Sequence, residues 1–317
     1  MTAEHPPLAR STLDRAAHRR TDQGWLAEAW SRSRVLVVDV AAGGWALAGG
    51  PAERPELVLL GPEDVVDADP SARLFLGIEP DGVPVFAVAA PLPAVPQARS
   101  VNLREVGHLL PDRDAGIFTT AVALGNWHAR HPYSSVTGRP TAVGDAGWSR
   151  ADEAGQQLWP RTDPAMIVLL HDGAPGPDGR CLLGNNAAWR PAGGVRRYSC
   201  LAGYVEPGES AEDAVLREVA EEVGLVPHGV EYVASQAWPF PGSLMLGFFA
   251  RAEPERALRL DPAEIAHAGW FTRRQVAAVL AGEPVDAGDG LRVGLPNPSS
   301  IALFLVNRWL DFGAPQA

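Results

Sequence analysis

Hydrophobic residues occur in short runs over the first third of the chain, and glycine, proline and aspartate separate the runs. The runs lie at residues 35–40, 57–60, 74–78 and 83–89, and turns such as Pro80-Asp-Gly82 divide them. Runs of this length between turn residues predict β-strands. Residues 115–125 follow and predict a helix. We therefore expect residues 1–125 to form an α+β or α/β domain, in which no catalytic cluster is visible.

The pattern changes twice after this domain. Residues 126–158 are polar, contain glycine and show weak periodicity, which predicts a connector between two folded units. From residue 159 onward the pattern predicts strands at 165–170, 180–183, 199–202, 230–235 and 244–250, and helices at 211–223, 272–280 and 300–311. Residues 159–317 are therefore the second predicted domain, again of mixed α/β class.

Composition limits the class of protein. A chain of 317 residues favours two domains. It has no apolar run long enough to span a bilayer and no apolar core of a secretory signal near residue 1, so we expect a cytoplasmic protein without membrane contact. The two cysteines, Cys181 and Cys200, do not indicate a disulfide scaffold. The net charge of −11 argues against nonspecific binding to nucleic acid.

An acidic cluster lies on the helix predicted at 211–223. Glu218 and Glu222 are four residues apart and Glu221 is beside them, so the three carboxylates point to one side of the helix. Like charges at this spacing repel each other. A solvated acidic face is one interpretation of such a cluster. The other is a site for Mg²⁺ or Mn²⁺, which prefer oxygen ligands and would relieve the repulsion.

The residues around the cluster favour the metal site. Ser210, with Asp213 three residues on, resembles a capping box that begins the helix, and Gly224 is a helix stop. Glu209 and Arg217 stand where they could brace the carboxylates, and a tight glycine turn precedes the helix.

The segment from residue 203 to 225 resembles the Nudix box, G-x5-E-x7-R-E-U-x-E-E-x-G-U with U a bulky aliphatic residue, at every specified position. This resemblance implies an α/β/α sandwich that holds divalent metals against a diphosphate. It implies catalytic and metal-binding roles for Glu218, Glu221 and Glu222. It implies structural roles in the box for Gly203, Glu209, Arg217 and Gly224.

A second motif indicates the subfamily. Residues 235–243, Ser-Gln-Ala-Trp-Pro-Phe-Pro-Gly-Ser, resemble the SQPWPFPxS motif of the NADH pyrophosphatases, with Ala237 in place of a proline. Prolines stiffen such a loop and its aromatic rings offer flat faces to a nucleotide; an aromatic loop that covers the core is the alternative. The resemblance implies substrate contacts at Gln236, Ala237, Trp238, Pro239, Phe240, Pro241, Gly242 and Ser243.

Further matches extend this resemblance over residues 115–312. They imply that Glu264 and the carbonyl group of Ala202 bind metal, beside the three box glutamates. They also imply that Trp159, Tyr204 and Ala302 contact substrate. For Glu264 a surface charge, and for Trp159 a core residue, are the alternatives.

The chain differs from its relatives in the connector, where they carry two Cys-x-x-Cys pairs that bind a structural zinc. Here Ser134 and Thr137 replace the first pair, and the second is absent. Hydroxyl groups are poor zinc ligands. We therefore expect no structural zinc, and packing through Trp127, Tyr133 and Trp148 instead.

The resemblance implies an NAD(H) diphosphatase that uses Mg²⁺ or Mn²⁺ to hydrolyse NADH or NAD⁺ to AMP and nicotinamide mononucleotide, and that acts as a homodimer with a degenerate Nudix-like N-terminal domain. The same reaction would remove a 5′ NAD cap from RNA, which we expect Arg190, Arg196 and Arg197 to contact locally. Two alternatives stay open. One is a Nudix hydrolase for ADP-ribose or dinucleoside polyphosphates, and the other is a non-catalytic Nudix domain that senses NAD.

Overall fold

The computed structural model describes residues 4–65 and 69–312. These residues form two compact units. The first unit consists of Pro7–Thr162 and Ala237–Ser243. The second consists of the described parts of Met1–Pro6, Asp163–Gln236 and Leu244–Ala317.

The first unit contains a six-stranded sheet, a small three-stranded sheet and three α-helices. The elements in chain order are α1 (Gln23–Trp30), β1 (Arg34–Asp39), β2 (Trp45–Gly49), β3 (Glu56–Leu57), β4 (Arg73–Ile78), β5 (Pro84–Ala89), β6 (Arg99–Asn102), α2 (Leu103–Val106), α3 (Asp112–Arg130), β7 (Thr141–Gly144), β8 (Ser149–Asp152) and β9 (Gln157–Leu158). The large sheet has the order β3-β2-β1-β5-β4, and β6 pairs with β2.

Both faces of this large sheet are buried. On β1, Leu36 and Val38 pack into one hydrophobic core with the apolar side of α3. On β4 and β5, Phe75 and Phe86 pack on the other face with Leu26 of α1. Side chains alternate between the faces of a strand, so strands covered on both faces are apolar throughout. The first unit is thus a sheet with a helix on each face.

The second unit also has a helix on each face of its main sheet. Its elements are β10 (Asp163–His171), β11 (Arg180–Asn186), β12 (Val195–Arg197), β13 (Leu201–Tyr204), α4 (Ala211–Val223), β14 (His228–Trp238), β15 (Ser243–Arg251), β16 (Ile265–Thr272), α5 (Arg273–Leu280), β17 (Arg292–Gly294) and α6 (Ile301–Phe312). The sheet order is β14-β15-β10-β11-β16, and β13 pairs with β10.

The alternation of side chains along β10 determines how the second unit packs. Met166 and Val168 point into the core shared with α4. Ile167 and Leu169 point into the core shared with α6, which also contains the free cysteines Cys181 and Cys200. This arrangement is an α/β/α sandwich, as the resemblance to the Nudix family implies.

Most predicted elements are present, with shifted ends. The helix predicted at 115–125 extends over Asp112–Arg130, and the strand predicted at 199–202 is Leu201–Tyr204. The strand predicted at 57–60 was too long, because only Glu56–Leu57 pairs as a strand while Leu60 forms an isolated bridge to Val35. Among the elements that were missed are the strands β2, β6 and β16 and the helix α1.

The predicted connector contains more structure than its sequence suggests. Residues 126–130 continue α3, and β7, β8 and β9 form an antiparallel sheet. Of the three aromatic residues expected to hold it, Trp127 is buried and Trp148 packs against the core, but Tyr133 is exposed. The expectation for Tyr133 was therefore wrong.

Ser134 and Thr137, which stand where the first Cys-x-x-Cys pair is expected, form hydrogen bonds that hold this segment. The Ser134 hydroxyl oxygen accepts hydrogen bonds from the N–H groups of Val136 and Thr137. The Thr137 hydroxyl donates to the Asp152 carboxylate, whose other oxygen accepts from the N–H groups of Ala154 and Gln156. Two turns that are far apart in the chain are thereby joined without thiol groups.

Among the helices of the described residues, none has the length and the apolar content that are needed to cross a membrane.

Candidate metal centre

The helix α4 begins and ends at the residues that the sequence indicates. The Ser210 hydroxyl accepts a hydrogen bond from the Asp213 N–H at 3.0 Å and donates to the Asp213 carboxylate at 2.7 Å. The acidic side chain therefore returns to the cap hydroxyl rather than to the cap N–H of a capping box. Gly224 ends the helix with φ +72°, a conformation that favours glycine.

Two glutamates of α4 meet a third that arrives from a distant turn. Glu218 and Glu222 are one helical turn apart, and both are buried, at 8% and 4% exposure. One carboxylate oxygen from each, together with one from Glu264, lie within 4.8 Å of one another. Within the described chain, these three residues are the group of acidic, histidine or cysteine side chains that could hold a metal ion.

The turn that carries Glu264 is attached to the end of α4. The Asp261 N–H donates to the carbonyl oxygen of Glu222 at 3.0 Å, and the Asp261 carbonyl accepts from the N–H of Glu264 at 3.2 Å. The Glu264 carbonyl accepts in turn from the Ala187 N–H at 2.7 Å. Sequence reasoning missed the role of Asp261, although an aspartate before a proline is typical of a turn.

The cluster is electrostatically unfavourable without a cation. Burial, followed by the charges of Glu218, Glu264 and Glu221, raises the pKa of Glu222 to about 8. Burial also raises the pKa of Glu218, while Arg217 lowers it in part. The Oε2 atom of Glu222 is buried and has no hydrogen-bond partner. A buried carboxylate oxygen without a partner, beside two more carboxylates, fits a divalent cation that prefers oxygen ligands.

Arg217 braces the cluster from one side. Its Nε and Nη2 donate to the two oxygens of Glu209, at 2.8 and 3.0 Å. Its Nη1 donates to Glu218 at 2.9 Å and to Glu221 at 3.1 Å, and Nη2 also donates to the carbonyl of Tyr204 at 2.9 Å. The guanidinium thus fixes the loop before α4 and the orientation of the Glu218 carboxylate.

Gly203 leaves the space that the Glu218 carboxylate occupies. A Cβ atom at this position would lie 2.0 Å from both Cδ and Oε1 of Glu218. Its φ is not in the left-handed region, so the requirement for glycine here is steric rather than conformational. The Glu218 carboxylate can therefore take this position only because residue 203 has no side chain.

The other residues expected at the metal lie around this group. Glu221 is exposed, accepts a hydrogen bond from Arg217 and lies outside the trio. Ala202 is exposed on β13, opposite Ile167 of β10, and is followed by Gly203 beside the Glu218 carboxylate. The structure thus brings together Glu218, Glu222 and Glu264, with Ala202 near them along β13.

The residues of the expected substrate-binding loop belong to two different compact units, and the boundary follows Gln236. The Gln236 side chain is buried in the second unit and donates to the carbonyl of Ser299 at 3.1 Å. Residues 237–243 belong to the first unit, and Phe240–Pro241 is a cis peptide bond. Asn126 donates to the carbonyl of Pro239 at 2.7 Å.

The aromatic rings of this loop are partly buried. Trp238 and Phe240 meet edge to face at 5.0 Å and pack against the core of the first unit. The guanidinium of Arg104 lies over both rings, 4.2 Å from the centre of Phe240 and 5.8 Å from that of Trp238. Gly242 lies close to the Arg161 carbonyl. The two rings therefore have a packing role within the first unit.

The remaining expected substrate contacts and basic residues are spread over both units. Trp159 is exposed in the first unit and Tyr204 in the second, whereas Ser243 and Ala302 are buried. Ala302 lies in the first turn of α6, where its carbonyl accepts a long contact from the Cys200 thiol. Of the basic residues expected to contact RNA, Arg190 and Arg197 are exposed.

Arg196 is buried and pairs with Asp289 at 2.5 Å. The Arg196 guanidinium is therefore engaged by Asp289. The expectation that Arg196 contacts RNA was wrong.

Two family models match this chain. A model of the NUDIX domain matches residues 161–288, and a model of the NADH pyrophosphatase-like rudimentary NUDIX domain matches residues 26–127. Among solved structures, the NUDIX domain of Shewanella oneidensis NrtR complexed with ADP ribose is similar at 17% identity and a TM-score of 0.36, over 48% of this chain and 88% of that one.

Curated relatives are similar over most of the chain. The NAD-capped RNA hydrolase NudC of Mycobacterium tuberculosis strain H37Rv is 38% identical over 315 residues, which cover 96% of this chain and 94% of that protein. Human NAD-capped RNA hydrolase NUDT12 is 35% identical over 212 residues, which cover 63% of this chain and 43% of that protein. The chain belongs to the Nudix hydrolase family, and its Nudix domain follows a rudimentary Nudix domain of the NADH pyrophosphatase type.

Proposed function

We propose that this protein hydrolyses the pyrophosphate of NAD(H), yielding AMP and nicotinamide mononucleotide, and that it also removes NAD caps from the 5′ end of RNA. The observation that carries the proposal is the trio of Glu218, Glu222 and Glu264, in which an unpaired buried oxygen fits a divalent cation. The names of the relatives, NAD-capped RNA hydrolases at 38% and 35% identity, support this substrate class.

The residues of the trio would hold Mg²⁺ or Mn²⁺, together with the Ala202 carbonyl and Glu221. Such ions would supply charge neutralisation for the diphosphate and acidify a bound water. Glu218 is held in one orientation by Arg217 and by the space at Gly203, so its ligand oxygen is placed before substrate arrives. A carboxylate of the cluster takes the proton of the attacking water. Oxygen from water is added at one phosphorus, the P–O–P bond breaks, and each product leaves with one phosphate.

Substrate selection is proposed for the loop at 236–243 with Trp159, Tyr204 and Ala302. A rigid loop with aromatic rings offers stacking surfaces to a nucleotide. The exposed rings of Trp159 and Tyr204 are the available flat surfaces, because Trp238 and Phe240 are partly packed. We also propose the sequence-based division into residues 1–125, 126–158 and 159–317, and a homodimer.

The test is product analysis with purified protein and Mn²⁺ or Mg²⁺, comparing NADH, NAD⁺, NAD-capped RNA, ADP-ribose and a dinucleoside polyphosphate. We expect AMP and nicotinamide mononucleotide from NAD(H), and 5′-monophosphate RNA from capped RNA. Glu222→Gln keeps the side-chain volume and should lower turnover at least a hundredfold. Glu212→Gln, an exposed glutamate on the same helix, is the matched control and should retain activity.

Three outcomes would contradict the proposal. Faster cleavage of ADP-ribose or of the dinucleoside polyphosphate than of NAD(H) would assign another Nudix specificity. Tight NADH binding without metal-dependent hydrolysis would indicate a sensor. Normal turnover by Glu222→Gln would remove the trio from the reaction.

A further inference from the structure

A cavity of about 640 Å³ lies in the second unit, away from the residues of the metal centre. Its lining includes His171 at the end of β10, Arg251 at the end of β15 and Arg273 at the start of α5. Trp309 and Phe312, in the last turns of α6, line it as well. Its volume is within the usual range of small-molecule sites, and none of the carboxylates of the trio contributes to it.

One wall of the cavity holds a buried arginine. Arg273 is only 8% exposed, and its Nη1 donates to the carbonyl groups of Ala174 and Gly176 at 2.7 and 3.2 Å. Its Nε donates to the carbonyl of Trp309 at 3.3 Å. No carboxylate of the described chain forms an ion pair with it; burial lowers its pKa, and the charge of nearby Asp172 raises it in part. The hydrogen bonds of Arg273 go to neutral carbonyl groups, which do not cancel the charge of the guanidinium.

Three more basic side chains line the same cavity, namely Arg251, His171 and His228. Arg251 is exposed, and the described residues provide it with no salt bridge. His171 is partly buried; burial first and then the charges of Arg251 and Arg273 lower its pKa, while Asp172 raises it. Glu231 also lines the cavity.

Asp172 is close to these basic groups, but its carboxylate has other partners and does not fully neutralise their charge. Its carboxylate is engaged by Arg180 at 3.3 Å and by the N–H of Ala174 at 2.9 Å. Arg180 in turn pairs with Glu255. The cavity therefore has a positive lining in a protein of net charge −11.

Aromatic side chains form the apolar part of the lining. Phe249 is buried and meets the rings of His171 at 6.0 Å and Phe312 at 5.9 Å, both edge to face. Phe312 itself is 69% exposed, although the Arg308 guanidinium lies over its ring at 5.7 Å, so much of the ring surface is available to a ligand. An exposed ring beside cationic groups suits a ligand that combines a flat ring with negative charge.

We propose that this cavity is a second ligand site, which binds a small phosphate ester that carries a planar ring, of the nucleoside monophosphate class. The phosphate would pair with Arg251 and Arg273, whose planar guanidinium groups match phosphate oxygens in geometry. The ring would lie against Phe312. The proposal goes beyond the hydrolytic function, because the cavity and the metal centre share no residue.

The test measures binding of AMP, inorganic phosphate and adenosine to the full chain by isothermal titration calorimetry in the presence of Mg²⁺. We expect AMP to occupy two sites per chain, one of them in the cavity. Arg251→Gln should weaken one AMP site about tenfold, as expected from the loss of one charge-assisted hydrogen bond. Hydrolysis of NADH should be unchanged in this variant. Arg256→Gln is the matched control, since Arg256 is exposed and outside the cavity, and it should leave both sites unchanged.

Phe312→Ala tests the contribution of the ligand's ring separately from that of its phosphate. It removes an exposed side chain and should weaken AMP binding at the cavity without changing the binding of inorganic phosphate. A single AMP site in the wild-type protein, or two unchanged sites in Arg251→Gln, would overturn the proposal. Phosphate that binds as tightly as AMP, with no effect of Phe312→Ala, would show that the cavity takes a simple anion and would overturn the ligand class.

Discussion

Replacing Glu222 with glutamine should stabilise the metal-free protein at neutral pH while it removes metal-dependent hydrolysis. Glu222 is 4% exposed, and its carboxylate lies with those of Glu218 and Glu264 within 4.8 Å. Burial first, and then the neighbouring carboxylates, raise its pKa to about 8 from the ordinary 4.5. Glutamine keeps the shape of the side chain and carries no charge, so the variant removes this unfavourable ionisation alone.

The direction and size of the change in the free energy of unfolding follow from the pKa of Glu222 in the folded and in the unfolded state. Below pH 4.5 Glu222 is protonated in both the folded and the unfolded state. As pH rises above 4.5 the unfolded state releases the proton first, so the free energy of unfolding decreases until pH passes about 8. The loss is roughly 3 kcal/mol at pH 7 and about 5 kcal/mol above pH 8, taking 1.36 kcal/mol for each pH unit.

The assay is urea denaturation of the wild-type protein and of Glu222→Gln in excess chelator, from pH 5 to pH 9. The variant should match the wild type within about 1 kcal/mol at pH 5 and exceed it increasingly up to pH 8. Adding Mn²⁺ should stabilise the wild type more than the variant, because binding to the folded state alone shifts the equilibrium. Glu212→Gln should follow the wild type at every pH. Parallel curves for wild type and Glu222→Gln would refute the reasoning.

Two further predictions concern other parts of the protein. Gly203→Ala should raise the Mn²⁺ concentration needed for half-maximal hydrolysis at least tenfold while circular dichroism stays normal, because the new Cβ would overlap the Glu218 carboxylate; unchanged metal activation would contradict this steric argument. Thr137→Val should lower the melting temperature, since the buried Asp152 carboxylate loses a hydrogen-bond donor, whereas Thr137→Ser should retain it; equal melting of the two variants would show that the hydroxyl is not what joins the two turns.

The sequence predicted the centre of the site well, because its geometry is local. Glu218 and Glu222 share one helical face by their spacing, and Ser210 and Gly224 delimit the helix through interactions within a few residues. Glu264 is different, since only a turn attached to the end of α4 brings it to the other two. No spacing rule gives that contact, and the family resemblance alone suggested it.

Two of the missed strands share a physical cause. The strand β2, Trp45–Gly49, consists largely of alanine and glycine, which have low β-propensity, and β6 is short and polar. These strands form because neighbouring strands supply hydrogen-bond partners. The three-stranded sheet of the connector is similar, because its turns are held by side-chain hydrogen bonds between Thr137 and Asp152, fifteen residues apart. Local patterns do not contain such partners.

The hydrogen bonds of the arginine beside the trio bear on how an acidic protein can act on an anionic substrate. Arg217, the arginine nearest the trio in sequence, uses Nε, Nη1 and Nη2 to hold Glu209, Glu218, Glu221 and the carbonyl of Tyr204. Since this guanidinium is already engaged, the proposed function requires the carboxylates to bind divalent metal ions as the source of positive charge. On this proposal, the acidic residues make the site cationic. Removing divalent metal should accordingly weaken binding of the diphosphate as well as its cleavage, because the bare trio repels it.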